Sequence, residues 1–124
     1  MLLQAISHEH LPDLYTMHSD QRVMATLGGV RNKNETITFL EQQLQHWEKY
    51  GYGEWMVFEK DSDCFIGRCG LRCIIINKKK EIEIGYKLLS NFWGRGLATE
   101  LAESIIYIAF KELSRHWGRT KIIH

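Results

Sequence analysis

Proline is almost missing from this 124-residue chain, which has one, and cysteine is scarce, with three. A single proline rules out a proline-rich linker or recognition segment. The cysteines, Cys64, Cys69 and Cys73, are an odd number crowded in or near one predicted strand, without a Cys-x-x-Cys pair or a second ligand cluster. That argues against a disulfide framework and structural zinc, and reads as small half-buried strand residues in a reducing compartment. The histidines His8, His10, His18, His46, His116 and His124 are scattered, with no helical His-x-x-x-His, and read mostly as surface helix residues. No metal is expected.

An excess of either charge is also missing: sixteen basic against fifteen acidic residues leave a formal charge of +1. No global field then draws nucleic acid or an acidic membrane. Lys78-Lys79-Lys80, beside Asn77, reads as the solvated tip of a hairpin. A base-stacking platform with interleaved basic residues is absent, since Trp47 belongs to a helical stripe and Trp93 to a loop pattern. No apolar run approaches the ~18 residues of a membrane span, and Met1-Leu2-Leu3-Gln4 has neither a basic flank nor a long apolar region, so cytoplasmic residence is expected.

What is present is an ordinary globular composition, 44% hydrophobic and 25% charged, in a length suited to one core and a single domain over residues 1–124. Residues 2–6 read as a strand and 8–20 as a helix with Pro12 tolerated near its start. After a Gly28-Gly29 turn, Asn34 is read as the N-cap of a helix whose Ile37, Leu40, Leu44 and Trp47 share a face, ended by Gly51 and Gly53. Strands over 55–58 and 65–76 follow, separated by Asp61-Ser62-Asp63. A turn over 77–80 leads into a strand over 81–88 that alternates polar and apolar residues. Residues 97–113, free of proline and glycine, form a helix apolar enough to lie on a sheet.

Between that strand and helix lies Asn91-Phe92-Trp93-Gly94-Arg95-Gly96-Leu97-Ala98-Thr99-Glu100. Without Cβ atoms, Gly94 and Gly96 can take φ > 0 and let main-chain N–H groups approach a ligand closely. The helix start adds unpaired donors and roughly half a positive charge, which together make an anion site built from backbone. It is not the nucleotide P-loop, which needs Gly-Lys-Ser/Thr, nor the dinucleotide fingerprint, which needs a third glycine where Thr99 stands. On the glycines alone, a plain strand-to-helix turn is an equal reading.

Glu83-Ile84-Gly85-Tyr86 followed by residues 92–100 closely resembles motif A of the GNAT superfamily of N-acetyltransferases, and within it the ribosomal-protein N-acetyltransferase (RimJ/RimL-like) branch. The resemblance implies an α/β (α+β) fold, a mixed, mainly antiparallel sheet flanked by helices. It implies acetyl-coenzyme A as cosubstrate, with Leu88 meeting the pantetheine arm through its backbone and Trp93, Gly94, Arg95, Gly96, Leu97 and Ala98 around the pyrophosphate. Asn91 stands where the superfamily often has Gln or Arg, a position that contributes mainly backbone geometry. The implied activity is transfer of an acetyl group to a primary amine, a protein N-terminus or a small amine, by direct attack on the thioester. Glu83 occupies the family's acidic position and is the candidate base; a cross-strand ion pair is the other reading of the same residue. Glu54 is a second candidate carboxylate. The proton donor has no assignment, because alternation points Tyr86 to the face opposite Glu83. Residues 27–31 are expected to border the acceptor cleft.

The family ordinarily continues with a further helix and two closing strands. Residues 120–124 supply at most the fifth strand, so the fold is expected to lack those elements. The resulting unpaired edge and apolar surface imply a homodimer or a shortened member. A non-catalytic coenzyme A binder and a small interaction module whose glycine loop is only a turn are the competing readings.

Overall fold

The computed structural model describes residues 1–116 and 122–123, with side chains through Lys111. Its sheet has the strand order β1-β2-β3-β4-β5: β1 Leu2–Ala5, β2 Glu54–Phe58, β3 Phe65–Ile76, β4 Lys79–Leu88 and β5 Ile122–Ile123. The first four strands pair antiparallel, and β5 runs parallel to β4. Helices α1 Leu11–His18, α2 Gln21–Met24, α3 Lys33–Tyr50 and α4 Leu97–His116 flank it. This is the mixed, mainly antiparallel α/β architecture expected. The fifth strand is realised at Ile122–Ile123, while residues 117–121 and 124 of the expected connection and strand lie outside the described residues. Among the described residues, no helix is long and apolar enough to cross a membrane.

Local chemistry moves several expected boundaries. The β3–β4 register pairs Ile76 with Lys79, which shortens the turn to Asn77 and Lys78, at φ 51° and 65°. Two consecutive left-handed residues match the right-handed strand twist, so Lys79 and Lys80 join the ladder instead of the turn. Asn32, not Asn34, caps α3: its Oδ1 accepts the Glu35 N–H at 2.8 Å, and Glu35 Oε1 accepts the Asn32 N–H at 2.9 Å. Asn34 has Ile37 three residues on and cannot form such a reciprocal box. The expected helix over 8–20 divides into a 3-10 turn at His8–His10, α1, and the unanticipated α2. The break falls at Asp20, whose Oδ1 accepts the N–H groups of Arg22 and Val23 and so starts a new helix.

The core lies between the sheet and its helices. Leu101, Ile105 and Ala109 recur every four residues on α4 and are fully buried where that helix packs on β4 and β3. Leu14, Met17, Leu40 and Met56 are similarly enclosed, each such burial contributing about 1.5–3 kcal/mol. The apolar arc of α4 is only partly covered, because Tyr107 and Phe110 are exposed. Two histidines depart from the surface reading: His10 and His18 are buried, as satisfied ring nitrogens allow. Cys69 is buried and Cys73 half-buried in β3, whereas Cys64 is exposed just before it.

Candidate active site

From Leu88 the chain passes through a 3-10 turn at Ser90–Phe92 and the glycine segment into α4 at Leu97. Gly94 and Gly96 adopt φ 80° and 74°, the left-handed conformations expected of them. A Cβ on either would meet nothing within 4 Å, so glycine is needed there for backbone conformation and not for room. The Trp93 indole N–H donates to the Leu88 carbonyl at 3.0 Å, which engages one lone pair of the group assigned to pantetheine. Arg22 stacks on the same indole, its guanidinium carbon 4.8 Å from the ring centroid, while Arg95 lies 5.3 Å from the centroid of Phe92.

A long-range clamp fixes this turn. Asp20 Oδ2 accepts both the Ser90 N–H at 3.0 Å and the Ser90 hydroxyl at 2.8 Å, while Oδ1 caps α2. Burial works against the carboxylate, but the donors from Ser90, Val23 and Arg22 outweigh it and hold the Asp20 pKa below its ordinary value. One side chain therefore ties the α1–α2 junction to the beginning of the glycine segment.

A cleft of about 220 Å³ opens beside the turn, walled by Arg22, Val23 and Thr26 on one side and Leu88, Trp93 and Ala98 on the other. Leu88, Trp93 and Ala98 of the expected cofactor residues thus line it, and Gly94, Arg95, Gly96 and Leu97 form the backbone that joins two of those walls. Among the described residues, strand β5 pairs with β4 at Ile82 and Glu83. Beyond that point, no described strand covers this edge of β4.

A second cleft, of about 400 Å³, draws its lining from far-separated segments. Strand β3 contributes Arg68, Gly70 and Arg72, β4 contributes Glu83 and Gly85, and β2 contributes Glu54; Phe39 and Gln43 come from α3. Leu27 and Arg31 complete it, so the expected border over 27–31 is supplied by its two ends. Tyr86 and Lys87 line both clefts, which makes β4 their common wall.

Glu83 stands directly opposite Arg72 and pairs with it at 2.6 Å, with both side chains well exposed. The ion-pair reading of Glu83 is therefore realised within the same cleft that its carboxylate lines. Glu54 is more enclosed: its Oε2 meets Arg68 Nη1 at 3.1 Å, and the two side chains are 14% and 12% exposed. A Cβ at Gly70 would collide with the Glu54 carboxylate, so that glycine makes room for the pair.

Behind Arg68 lies a polar chain that the sequence reading missed. Thr36 donates its hydroxyl proton to the Asn32 carbonyl at 3.0 Å, so its oxygen accepts the Nδ1–H of His18 at 2.9 Å. That tautomer leaves His18 Nε2 to accept from Arg31 Nη1 at 3.2 Å. Burial, followed by the charges of Arg31 and Arg68, lowers the His18 pKa to about 4, which keeps the ring neutral near pH 7. Arg31 and Arg68 both lie over Phe39, 5.1 and 4.9 Å from its centroid. The readable signal was the period of two in Arg68, Gly70 and Arg72, which puts them on one face; their partners on α3 and the α2–α3 loop left no local pattern.

The sequence profile of the acetyltransferase (GNAT) domain family matches residues 1–124. The chain is similar to the uncharacterized protein YkkB of Bacillus subtilis, 28% identical over 103 residues, which are 83% of this chain and 59% of that one. It is also similar to the uncharacterized N-acetyltransferase p20 of Bacillus licheniformis, 36% identical over 66 residues, 53% of this chain and 36% of the relative. The chain thus spans only 59% and 36% of the lengths of these two curated relatives. Among solved structures, an acetyltransferase from Agrobacterium tumefaciens superposes with a TM-score of 0.73 at 24% identity, covering 90% of this chain and 64% of that one. A GNAT-family acetyltransferase from Bacillus anthracis gives 0.72 at 19% identity, covering 91% and 64%. These likenesses share the fold, and the profile match over the whole length establishes that the chain belongs to the acetyltransferase (GNAT) domain family.

Proposed function

We propose that residues 1–124 form an acetyl-coenzyme A-dependent N-acetyltransferase domain that acetylates a primary amine at a protein N-terminus or on a small molecule. The string from Glu83 to Glu100 supports the RimJ/RimL-like branch. The observation that carries the reading is the meeting of two clefts at Tyr86 and Lys87, one beside a left-handed glycine turn and one beside two carboxylates.

The glycine turn fits the diphosphate of coenzyme A: its φ angles present main-chain N–H groups at a helix start, and the space over both glycines is open. Gly94, Arg95, Gly96, Leu97 and Ala98 would hold the diphosphate, with Leu88 and Trp93 along the arm. Bound there, acetyl-coenzyme A supplies a thioester whose C–S bond breaks as the amine forms its C–N bond, the amine losing a proton and the sulfur gaining one. Glu83 receives the amine's proton, its carboxylate held in place by Arg72. Asp20 keeps the turn seated through Ser90.

Calorimetric titration with acetyl-coenzyme A, followed by thiol release against a panel of amines, tests the reading. Saturable binding and amine-dependent thiol release are expected. Absence of binding ends it, and binding without release for any amine replaces it with a non-catalytic coenzyme A binder.

A further inference from the structure

The 400 Å³ cleft is unbalanced in charge, with Arg31, Arg68, Arg72 and Lys87 facing Glu54 and Glu83. Arg68 is matched by Glu54 and Arg72 by Glu83. Among the described residues, Arg31 and Lys87 have no ion-pair partner.

Arg31 is not a loose surface side chain. Its Nη1 is fixed by neutral His18, and its guanidinium rests on Phe39. Arg68 uses the same ring, so Phe39 gathers two guanidinium groups against their mutual repulsion. Burial and then the charge of Arg68 lower the Arg31 pKa, with Glu35 opposing. Arg68 Nε is buried and has no hydrogen-bond partner among the described residues. A buried guanidinium donor without an acceptor, beside a second guanidinium that no carboxylate among the described residues reaches at ion-pair distance, is an arrangement that an anion completes. The planar fork of arginine matches a carboxylate in particular.

We infer that the acceptor is an amine that also bears a carboxylate, an amino-acid-like zwitterion whose acid group sits against Arg31 and Arg68 while its amine turns toward Glu83 and β4. The amine end rests on the acetyl-transfer reading above; the acid end rests on Arg31, Arg68 and Phe39. The two surplus cations that welcome a carboxylate repel a polyamine.

Binding and turnover test the two ends separately. Melting temperatures are measured for the wild type and Arg31→Gln with the common α-amino acids, their carboxamides and spermidine. At least one amino acid raises the wild-type melting temperature where its carboxamide does not, and Arg31→Gln loses the rise while keeping its calorimetric affinity for acetyl-coenzyme A. In thiol release, kcat/KM for that amino acid exceeds that for its carboxamide by at least about tenfold, the scale of one charge-assisted hydrogen bond. The ratio falls toward one in Arg31→Gln. Equal response to acid and amide, preference for spermidine, an unchanged preference in the variant, or no response to any amino acid overturns the inference. Should Arg31→Gln fail to fold, the wild-type comparison of acid with amide decides alone. Failure of the acetyl-transfer reading looks different: amino acids bind, but acetyl-coenzyme A does not, or no thiol appears.

Discussion

On one side of Tyr86 and Lys87, the glycine-turn cleft takes one of its sides, Leu88, Trp93 and Ala98, from a single stretch of chain that presents main-chain groups in left-handed conformations. On the other side, the arginine-lined cleft is assembled from side chains on β2, β3, β4, α3 and the loop after α2. The two are therefore sensitive to different damage. A backbone site fails when a φ angle or a nearby charge changes, and is indifferent to most side-chain swaps. A side-chain site fails when one member of a charge network goes, and each loss falls on stability as well as on recognition.

The largest effect that sharpens this contrast belongs to Gly96→Glu. A carboxylate near a phosphate is opposed by about 4 kcal/mol at 4 Å and an effective dielectric of 20, and a left-handed non-glycine residue adds roughly 1–2 kcal/mol, so acetyl-coenzyme A affinity falls by on the order of ten-thousandfold. Gly96→Ala carries the strain without the charge, and calorimetry on both variants separates the two terms. Unchanged affinity in the glutamate variant removes the backbone site altogether.

Next is Glu54→Gln, which leaves the 12%-exposed Arg68 guanidinium without its counter-charge and lowers unfolding free energy by roughly 3 kcal/mol in urea titrations. Glu83→Gln breaks an exposed pair worth at most about 1 kcal/mol, so the stabilities of the two variants should differ. In turnover, Glu83→Gln lowers kcat about a hundredfold while acetyl-coenzyme A affinity stays at the wild-type value. Full activity in that variant takes the base role away from Glu83.

The smallest effect per step is acid sensitivity of the arginine-lined side. An unfolded His18 binds a proton below its ordinary pKa of 6.5, whereas the folded ring stays neutral until about pH 4. Stability is therefore lost as pH falls through that window, by about 1.4 kcal/mol per unit and roughly 3 kcal/mol across it. His10 and His46, whose pKa values are also lowered chiefly by burial, act with the same sign. The contribution of His18 is isolated by His18→Asn, whose urea midpoint should fall less between pH 7 and pH 5 than that of the wild type. Parallel slopes would mean that His18 is not the sensor.

The same contrast explains what could be read from the residues in order. The glycine turn was legible because its chemistry is local: two glycines between an alternating strand and an apolar helix leave few other conformations. The sheet was legible for a similar reason, since period-two runs declare themselves. Arg31, Phe39 and His18 were not, because Arg31 lies 13 positions from His18 and Arg68 reaches Phe39 from another element, contacts that no local pattern announces. Asp20 shows the intermediate case, looking like a helix end while its second oxygen reaches Ser90, 70 positions away. The misplaced cap at Asn34 was avoidable, since Glu35 stands three residues after Asn32 and marks the true start.

Trp93 has a practical consequence of its own. Its indole is 44% exposed, pinned to Leu88 through its N–H and covered by Arg22 on one face, at the mouth of the smaller cleft. Trp47 and Trp55 instead pack on each other at 5.1 Å and line neither cleft. Among the described tryptophans, occupancy of that cleft would change both the water and the cation seen by one fluorophore while these two stay constant, an intrinsic optical gauge of its loading.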